Sequence, residues 1–316
     1  MVGSETNDDP FRRYGVNVKT VACLAGDGVG PELMAAATRA LERVSKLHQL
    51  ELDDRHFPFG GEAVTRSGHP LPAATRTGYR DVDAILVASP NEPALDGVKA
   101  DLHLAWRVAR VQLREAGDLV VAGPVGDWAN DIAISHAFSC AASRHGRIVC
   151  VGESAEWREA VAAQTTRWGG LEVEEAGLGD VLDRLRDRPE SLDVIVTETH
   201  LVSPVVDAAA HYAGSPSSVA HAWLPDHGPG VFAPGTSDSD DVAGFGVVDP
   251  MGMLLTASLM LAEGLKRRSA SRTLERAVGE VARRSVSHDT RSFTDAVIEL
   301  LPASRTDVEH FDEVAG

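Results

Sequence analysis

The stretch VKTVACLAGDGVGPEL, residues 18–33, decides the fold of this chain. Its first eight residues form a largely apolar run that suits a buried β-strand. The glycines of GDGVG permit a tight turn, because glycine adopts backbone angles that other residues avoid. Pro31 suits the first turn of a helix, and Glu32 suits its positively polarised N-terminus. The stretch therefore predicts a strand, a glycine turn and a helix in succession.

The rest of the chain continues this alternation of strands and helices, which predicts an α/β fold with largely parallel strand pairing. Residues 102–115 are predicted to be helical, and the glycine- and proline-rich segment 213–250 is predicted to be loop. Four apolar runs predict further strands: DAILVAS (83–89), DLVVAGPV (118–125), RIVCVG (147–152) and LDVIVTE (192–198).

Composition restricts the classes of partner. The 316 residues carry 30 basic and 47 acidic side chains, a formal net charge of −17. Such a field repels nucleic acid and anionic membranes, so neither is a predicted partner.

Cys23, Cys140 and Cys150 form no CxxC pair, which argues against a disulfide framework or a metal cluster. Residues 1–17 are polar, and no apolar stretch is long enough for a bilayer, so a flexible leader and a cytoplasmic protein are predicted.

Three segments, in this order and spacing, resemble the isocitrate/isopropylmalate dehydrogenase family. They are GDGVGPEL (26–33), FGGEAVTRSGHPLPAATRTGYRDVDAILVASPNEPALDG (59–97) and VFAPGTSDSDDVAGFGVVDPMGMLLTASLML (231–261). The resemblance implies a two-lobed α/β fold with parallel or mixed sheets flanked by helices, and a homodimer that binds a small molecule between the lobes. Its implied domains are a leader at 1–17, a large lobe of 18–97 and 215–316, and a smaller lobe of 98–214.

The resemblance also implies a reaction. Members of the family oxidise a 2-hydroxy acid with NAD or NADP and then release a carboxylate, using a divalent metal, substrate-binding arginines, and a lysine and a tyrosine that move protons. This chain has no lysine between Lys99 and Lys266 and no tyrosine between Tyr79 and Tyr212. Arginine cannot replace lysine in proton transfer, because its guanidinium stays protonated at neutral pH. The expected proton-handling pair is therefore missing from this interval.

The metal site that the resemblance implies is also altered. Ser203 stands in the place of the first metal-binding aspartate, and Asp207 remains in the place of the second. Asp180 lies within one residue of the position of the third aspartate, which the family supplies from the other subunit. One or two carboxylates make a poor magnesium site, because hard cations need several oxygen ligands. No metal site is therefore predicted, and Asp207 remains open to a surface role or a role in the cleft.

The cofactor loop departs from the family pattern in a similar way. Thr236 stands where the family has a histidine, Asp241 matches the aspartate that holds the cofactor ribose, and Asp249 replaces an asparagine. These three residues are predicted to be vestigial cofactor-binding residues. No cofactor is predicted, and NAD(P) and Mg²⁺ are expected only if the ancestral site is partly retained.

Other side chains are predicted to form the altered site. Arg114 matches one of the family's substrate arginines, and with Arg107 and Ser203 it is predicted to bind substrate. Arg107 and the neighbouring Arg110 form either a relocated basic patch or the solvated charges of one helix face. Three residues are predicted to be catalytic: Glu153 near the place of the lysine, His200 at a strand end, and Asp207. Further histidines are open to ordinary structural roles: His136, His145, His211, His221 and His227.

These observations favour an enzyme repurposed for non-redox chemistry on a small molecule, in specialised metabolism. The reason is that the scaffold motifs persist while the site residues are rewritten. Two alternatives remain open: a non-catalytic ligand-binding or regulatory homologue, and a residual NAD(P)-dependent 2-hydroxy acid dehydrogenase.

Overall fold

A ten-stranded mixed sheet runs through the protein in a computed structural model. The structure describes residues 18–89, 92–113, 117–235, 240–284 and 289–304 together with Asp307. The strands follow the order β2-β1-β3-β10-β9-β4-β5-β8-β6-β7 across the sheet. Their bounds are β1 Lys19–Gly26, β2 Leu52–His56, β3 Ala84–Ser89, β4 Leu104–Leu113, β5 Gly117–Pro124, β6 Arg147–Val151, β7 Glu172–Glu175, β8 Val194–Thr197, β9 Val219–Pro225 and β10 Gly230–Pro234.

Helices pack on both faces of this sheet, and the segment from Met260 to Gly264 continues α9 as a π-helix. The helices are α1 Gly30–His48, α2 Gly61–Ser67, α3 Ala73–Gly78, α4 Glu92–Asp101, α5 Asn130–Ala142, α6 Ala155–Arg167, α7 Leu178–Asp187, α8 Val202–Ala213, α9 Met251–Leu259, α10 Arg268–Arg283 and α11 Thr290–Leu300. The predicted α/β class with mixed pairing is therefore confirmed.

The opening stretch forms the strand, turn and helix that it predicts, as β1 and α1. Gly26 has a φ of +75°, a conformation that glycine adopts without steric cost. A Cβ atom at Gly26 would lie 1.9 Å from the carbonyl oxygen of Ser89 on β3. The glycine therefore allows the turn and the close approach of two neighbouring strands.

Pairing is parallel towards both edges of the sheet and antiparallel at its centre. β2, β1, β3 and β10 pair in parallel on one side, as do β5, β8, β6 and β7 on the other. The central pairs β10–β9, β9–β4 and β4–β5 are antiparallel. Strands of the predicted large lobe thus form one half of the sheet and strands of the predicted smaller lobe the other. The division into two lobes itself stays a prediction.

The prediction of a helix over residues 102–115 is wrong, because Leu104–Leu113 forms strand β4. Apolar and β-branched residues fill this segment, and it pairs with β5 on one side and β9 on the other. Side chains alternate between the faces of a strand, so Arg107 and Arg110, three residues apart, point to opposite faces. The proposed shared helix face for these two arginines is therefore also wrong.

The prediction of loop over 213–250 is wrong for its central part, which forms the antiparallel pair β9 and β10. Both strands are short, and glycine and proline lie at or near their ends. Their stability comes from the sheet, because β9 lies between β4 and β10 while β10 lies between β9 and β3. The pair joins the two halves of the sheet.

The two faces of the sheet are covered differently. On one face a continuous apolar core includes residues of α1, α5, α9, α10 and α11 and spans both halves of the sheet. On the opposite face the apolar residues form two separate clusters. One includes Val231 and Ala233 of β10 with residues of α4, and the other includes Ala109 and Val111 of β4 with residues of α7 and α8. The gap between these two clusters, called the cleft below, is the place where polar side chains gather.

The cysteines and helices add two simple observations. Cys23 and Cys150 are unpaired and buried, and burial raises the pKa of each thiol to about 12. Such thiols behave as small apolar side chains. Among the helices of the described ranges, none is both long enough and apolar enough to cross a membrane.

Candidate functional site

Six polar or aromatic side chains, called the cleft cluster below, meet between the two apolar clusters. The pairing of β4 with β9 places Arg107 beside Trp223 and Ala109 beside His221. Because strand side chains alternate between faces, these residues lie on the same face of the sheet. Helix α4 adds a lysine and helix α8 adds a serine and an aspartate. The cleft cluster comprises Lys99, Arg107, Ser203, Asp207, His221 and Trp223.

Arg107 connects the sheet to helix α8. Its Nη1 atom donates a hydrogen bond to Ser203 Oγ at 3.2 Å. Burial lowers the pKa of Arg107, and the nearby carboxylate of Asp207 opposes that shift. The Arg107 Nε atom is buried without a hydrogen-bond partner among the described residues. A buried donor without a partner is costly. The Nη2 atom of the same guanidinium has no hydrogen bond to a described residue and is the donor that an anionic ligand could reach.

His221 is held in its neutral form. Burial lowers its pKa to about 3, and the positive charges of Arg107 and Lys99 act in the same direction. The Nδ1 atom is buried with no hydrogen-bond partner in the described part of the chain. At neutral pH the imidazole therefore contributes polar atoms to the cleft but no charge.

The ring of Trp223 contacts two side chains of the cleft cluster. Lys99 Nζ lies 4.1 Å from the ring centroid, a cation–π contact. The ring of His221 is tilted against Trp223, with centroids 5.5 Å apart. Lys99 is thus a lysine of this cleft, although it lies at the boundary of the lysine-free interval and was not among the predicted site residues.

A cavity of about 650 Å³ opens beside this cluster, between α8, β9 and the end of β10. Its wall is apolar at Val206, Pro216 and Val219 and polar at Asp207 and His221, among others. A volume of this size suits a small organic molecule. The mixture of apolar and polar wall indicates a ligand with a charged or polar head and an apolar remainder.

The structure brings together three of the predicted site residues, Arg107, Ser203 and Asp207. It places Glu153 and His200 elsewhere, around the carboxylate of Glu198. Glu198 accepts hydrogen bonds from the backbone N–H of Glu153 at 3.2 Å and of Ser154 at 3.1 Å. His200 contributes to lowering the pKa of Glu198. Glu153 and His200 are exposed; Glu153 precedes α6, and His200 lies in the 3₁₀ turn Thr199–Leu201 that leads into α8. The predicted catalytic trio therefore does not form one cluster of contacts.

The predicted cofactor residues have other partners or fall outside the described ranges. Arg114 and Thr236 lie outside the described residues. Asp241 is exposed in a single 3₁₀ turn. Asp249 Oδ1 accepts a hydrogen bond from the backbone N–H of Met251 at 2.9 Å, at the start of α9. Such a contact satisfies a free N–H of the helix, and the vestigial cofactor role of these residues stays a prediction.

The described residues of one chain do not fit the metal ion that the family uses. Asp207 is a single carboxylate beside the cation of Arg107. Asp180 pairs with Arg184 at 3.6 Å on α7. Within the described ranges, no three histidine, cysteine, aspartate or glutamate side chains converge in a way that could hold a metal. A hard divalent cation needs several oxygen ligands, so we derive no chemical step through a metal.

Arg110, on the other face of β4, belongs to a buried ionic network. It pairs with Glu275 of α10, and its Nε atom lies 3.8 Å from Asp118 of β5. Arg144 lies 2.7 Å from Asp118 and 2.8 Å from Asp193. Arg110 is therefore neither a basic patch nor a solvated charge, and both predicted alternatives for it are wrong.

The network holds its carboxyl groups at different pKa values. Burial raises the pKa of Glu275 to about 7, against the opposing effect of Arg110. Burial acts on Asp118 in the same direction, but Arg144 and Arg110 outweigh it and hold the pKa of Asp118 at about 2. The carboxylate of Asp118 is thus the charged member of the pair near neutral pH, and Glu275 takes up a proton most readily.

The sequence contains one pattern that predicts a shared strand face for His221 and Trp223, although it does not show which strand lies beside them. In VAHAWLP, Val219, His221 and Trp223 occupy every second position, as expected for one face of a strand. The pattern was missed because the segment was predicted as loop. Lys99 could not be found in this way, because its position depends on how α4 packs against the sheet.

The sheet and its polar cleft define an α/β protein with a cavity on one face of the sheet, near the junction of its two halves. The model of the isocitrate/isopropylmalate dehydrogenase family matches residues 20–121 and 128–298. The chain belongs to this family, as its sequence motifs indicate.

Individual relatives agree with this assignment. The chain is 29% identical to a 3-isopropylmalate dehydrogenase of Synechococcus sp. (strain CC9902), over 83% of this chain and 90% of the relative. It is 27% identical to the 3-isopropylmalate dehydrogenase of Haemophilus influenzae, over 87% of this chain and 94% of the relative.

Solved structures show the same fold. A β-decarboxylating dehydrogenase from Thermococcus kodakarensis superposes with a TM-score of 0.78 at 20% identity, over 94% of this chain and 99% of that protein. The isocitrate dehydrogenase from Methylococcus capsulatus gives a TM-score of 0.73 at 19% identity, over 89% of this chain and 98% of that protein.

Proposed function

We propose that this protein binds a small organic acid in the cleft and acts on it as an enzyme without nicotinamide redox chemistry. The observation that carries the proposal is the position of Arg107. Its guanidinium is partly buried, donates a hydrogen bond to Ser203 and acts on Asp207, which lines a cavity of about 650 Å³, while its Nη2 atom has no hydrogen bond to a described residue. A carboxylate ligand would satisfy that donor and its charge.

The proposed departure from redox chemistry rests on the residues that could move protons. No lysine or tyrosine of the sequence lies between 100 and 211. Tyr79 is buried and donates a hydrogen bond to Asp101, and burial raises its pKa. In the cleft, Asp207 contributes a carboxylate, and Lys99, which also lies 3.6 Å from Asp96, contributes an amine. We propose that these two groups replace the ancestral pair in acid–base chemistry.

A second function, binding without catalysis, is favoured by one observation. His221 has a pKa of about 3, so it does not exchange protons efficiently near neutral pH. A cleft that binds an acid but lacks an effective acid–base pair would serve a regulatory protein that senses a metabolite. A residual NAD(P)-dependent dehydrogenase is the third candidate.

The deciding experiment is a binding and turnover screen of the purified protein. Calorimetry and thermal unfolding would be measured with a panel of small carboxylic acids, with NAD and NADP, and with Mg²⁺, because a ligand that binds the folded state raises its melting temperature. Each acid that binds would then be incubated with protein and analysed by mass spectrometry. Binding with conversion and without reduction of NAD(P) is expected. Binding without conversion assigns the sensing role, and reduction of NAD or NADP assigns the dehydrogenase role.

We also propose that the protein forms a homodimer in the cytoplasm, as the family resemblance and the unpaired cysteines suggest. Light scattering of the purified protein would measure its mass, and a monomer at micromolar concentration would contradict the proposed dimer. If the dimer is present, the ligand screen should be repeated above and below its dissociation constant.

A further inference from the structure

The cleft contains two groups of opposite charge: Arg107, on β4 beside helix α8, and Asp207, on α8 itself. Arg107 contacts Ser203 near the N-terminus of the helix. Asp207 follows four residues later and lines the cavity. Residues four positions apart lie about one helical turn, roughly 5–6 Å, apart on one side of a helix. The cationic group of Arg107 therefore lies beside one turn of α8, and the anionic group of Asp207 lies on the next turn.

Asp207 is available for a ligand. Its carboxylate acts on Arg107 through space. It has no hydrogen bond or ion pair within 4.0 Å to another described residue. It is exposed towards solvent rather than buried against the core. An unused carboxylate at a cavity wall accepts hydrogen bonds from an ammonium group more strongly than from a neutral hydroxyl.

His221, which lines the same cavity, does not cancel the charge of Asp207. His221 faces the same cavity in its neutral form, because burial, Arg107 and Lys99 lower its pKa. A neutral imidazole neither repels an ammonium group nor competes with it for the carboxylate. Val206, Pro216 and Val219 add apolar surface to the wall, and His211 and Ser215 add polar groups. The cavity thus combines an anionic point with apolar surface, next to the cationic point of Arg107.

We propose that the acid bound in this cleft is a 2-amino acid with an aliphatic side chain. Its carboxylate binds Arg107 and Ser203, its ammonium group binds Asp207, and its side chain packs against Val206, Pro216 and Val219. The carboxylate and ammonium groups of such a molecule sit on one carbon atom, and this short separation matches two groups that lie one helical turn apart. The inference rests on the proposed function, since it specifies the class of acid.

The alternative ligand for the same carboxylate is a hydroxy acid, which lacks the positive charge. A hydroxyl would donate one neutral hydrogen bond to Asp207, whereas an ammonium group would donate a charge-assisted one. The presence of Asp207 should therefore favour the amino acid over a hydroxy acid of the same shape, and removal of its charge should abolish that preference.

Matched pairs of ligands test the inference on the full-length protein. The pairs are L-alanine with L-lactate, L-leucine with L-2-hydroxy-4-methylpentanoate, and L-aspartate with L-malate, each measured by calorimetry and by thermal shift at neutral pH. 3-Methylbutylamine reports on the ammonium contact alone, and Mg²⁺ alone reports on a metal at Asp207. We expect leucine to bind on the order of tenfold or more tightly than its hydroxy analogue.

Variants assign that preference to the proposed contacts. Asp207→Asn should reduce the preference to within about twofold while the hydroxy acid still binds. Asp183→Asn, at an exposed position on α7, removes the same charge elsewhere and should leave the preference unchanged. Arg107→Gln should weaken both acids of each pair.

The outcomes separate this inference from the proposed function. If the hydroxy acids bind as tightly as the amino acids, or if Asp207→Asn keeps the preference, the inference is overturned and the proposed binding of an organic acid stands. Binding of Mg²⁺ that is lost in Asp207→Asn assigns Asp207 to a metal and also overturns it. If no acid of any pair binds, the proposed function and the inference both fail.

Discussion

Arg107 of β4 and Ser203 of α8, separated by 96 positions in the sequence, form a hydrogen bond of 3.2 Å at the edge of the cleft. The bond joins the centre of the sheet to a helix of the predicted smaller lobe. Arg107 uses one side of its guanidinium for this contact and retains a buried Nε donor. Its Nη2 atom has no hydrogen bond to a described residue, so the guanidinium can bind a second acceptor there.

The first prediction concerns that acceptor. Arg107→Gln should lower the affinity for small carboxylic acids by roughly tenfold to a hundredfold, because it removes a charge-assisted hydrogen bond. Titration calorimetry with an acid that binds the wild-type protein would measure the loss. Arg66→Gln, which disrupts an exposed pair with Glu62, serves as the control and should bind normally. An unchanged affinity in Arg107→Gln would place the acid elsewhere.

The second prediction concerns the ionic network on the other face of the sheet. Arg144→Gln should destabilise the fold by roughly 3–5 kcal/mol, because it leaves Asp118 and Asp193 buried without their main cation. Urea unfolding followed by circular dichroism would measure the change. Arg186→Gln, whose partners on α7 are exposed, should unfold like the wild type. Equal stability of both variants would show that the network contributes little.

The third prediction is a pH dependence that arises from Glu275. Its pKa is raised from 4.5 to about 7 in the folded state. A raised pKa means that the folded protein binds this proton more tightly than the unfolded chain does. The stabilisation is therefore complete below the unfolded pKa and is lost as the pH rises through about 7.

Glu275→Gln should remove this loss, which is on the order of 2–3 kcal/mol between pH 5 and pH 8. Urea unfolding at several pH values, compared with the wild type, isolates the contribution of Glu275. His221, whose lowered pKa costs stability as the pH falls below 6.5, contributes equally to both proteins. Glu280→Gln is the control, because Arg283 and Arg284 lower the pKa of Glu280 and move its titration out of this window. Parallel profiles for wild type and Glu275→Gln would contradict the prediction.

The fourth prediction concerns the glycine turn after β1. Gly26→Ala should destabilise the protein by about 2 kcal/mol or more, because φ is +75° and the new Cβ would lie 1.9 Å from the Ser89 carbonyl oxygen. Thermal unfolding would measure the effect. Gly179→Ala on α7, where a Cβ would meet no atom within 4 Å, should be as stable as the wild type or slightly more so. A neutral Gly26→Ala would show that the strands can separate to admit a methyl group.

The sequence by itself determined the family, the α/β class and most of the elements. These properties follow from local patterns: GDGVGPEL predicts a strand, a turn and a helix through the conformational freedom of glycine and the fixed φ of proline. The spacing of three motifs in turn identified the family, which the comparison of residues 20–121 and 128–298 confirms.

Tertiary structure alone decided the centre of the sheet and the composition of the cleft. β9 and β10 are short, and β4 has residues at helix-like spacing. They are stable as strands because each has a neighbouring strand on both sides. The same pairing directs the side chain of Arg107 towards the cleft and the side chain of Arg110 towards the buried ionic network on the other face. Local propensity contains no information about which distant strand pairs with which. His221, Trp223 and Lys99 therefore entered the site through β-pairing and helix packing, which a pattern along one strand or helix does not specify.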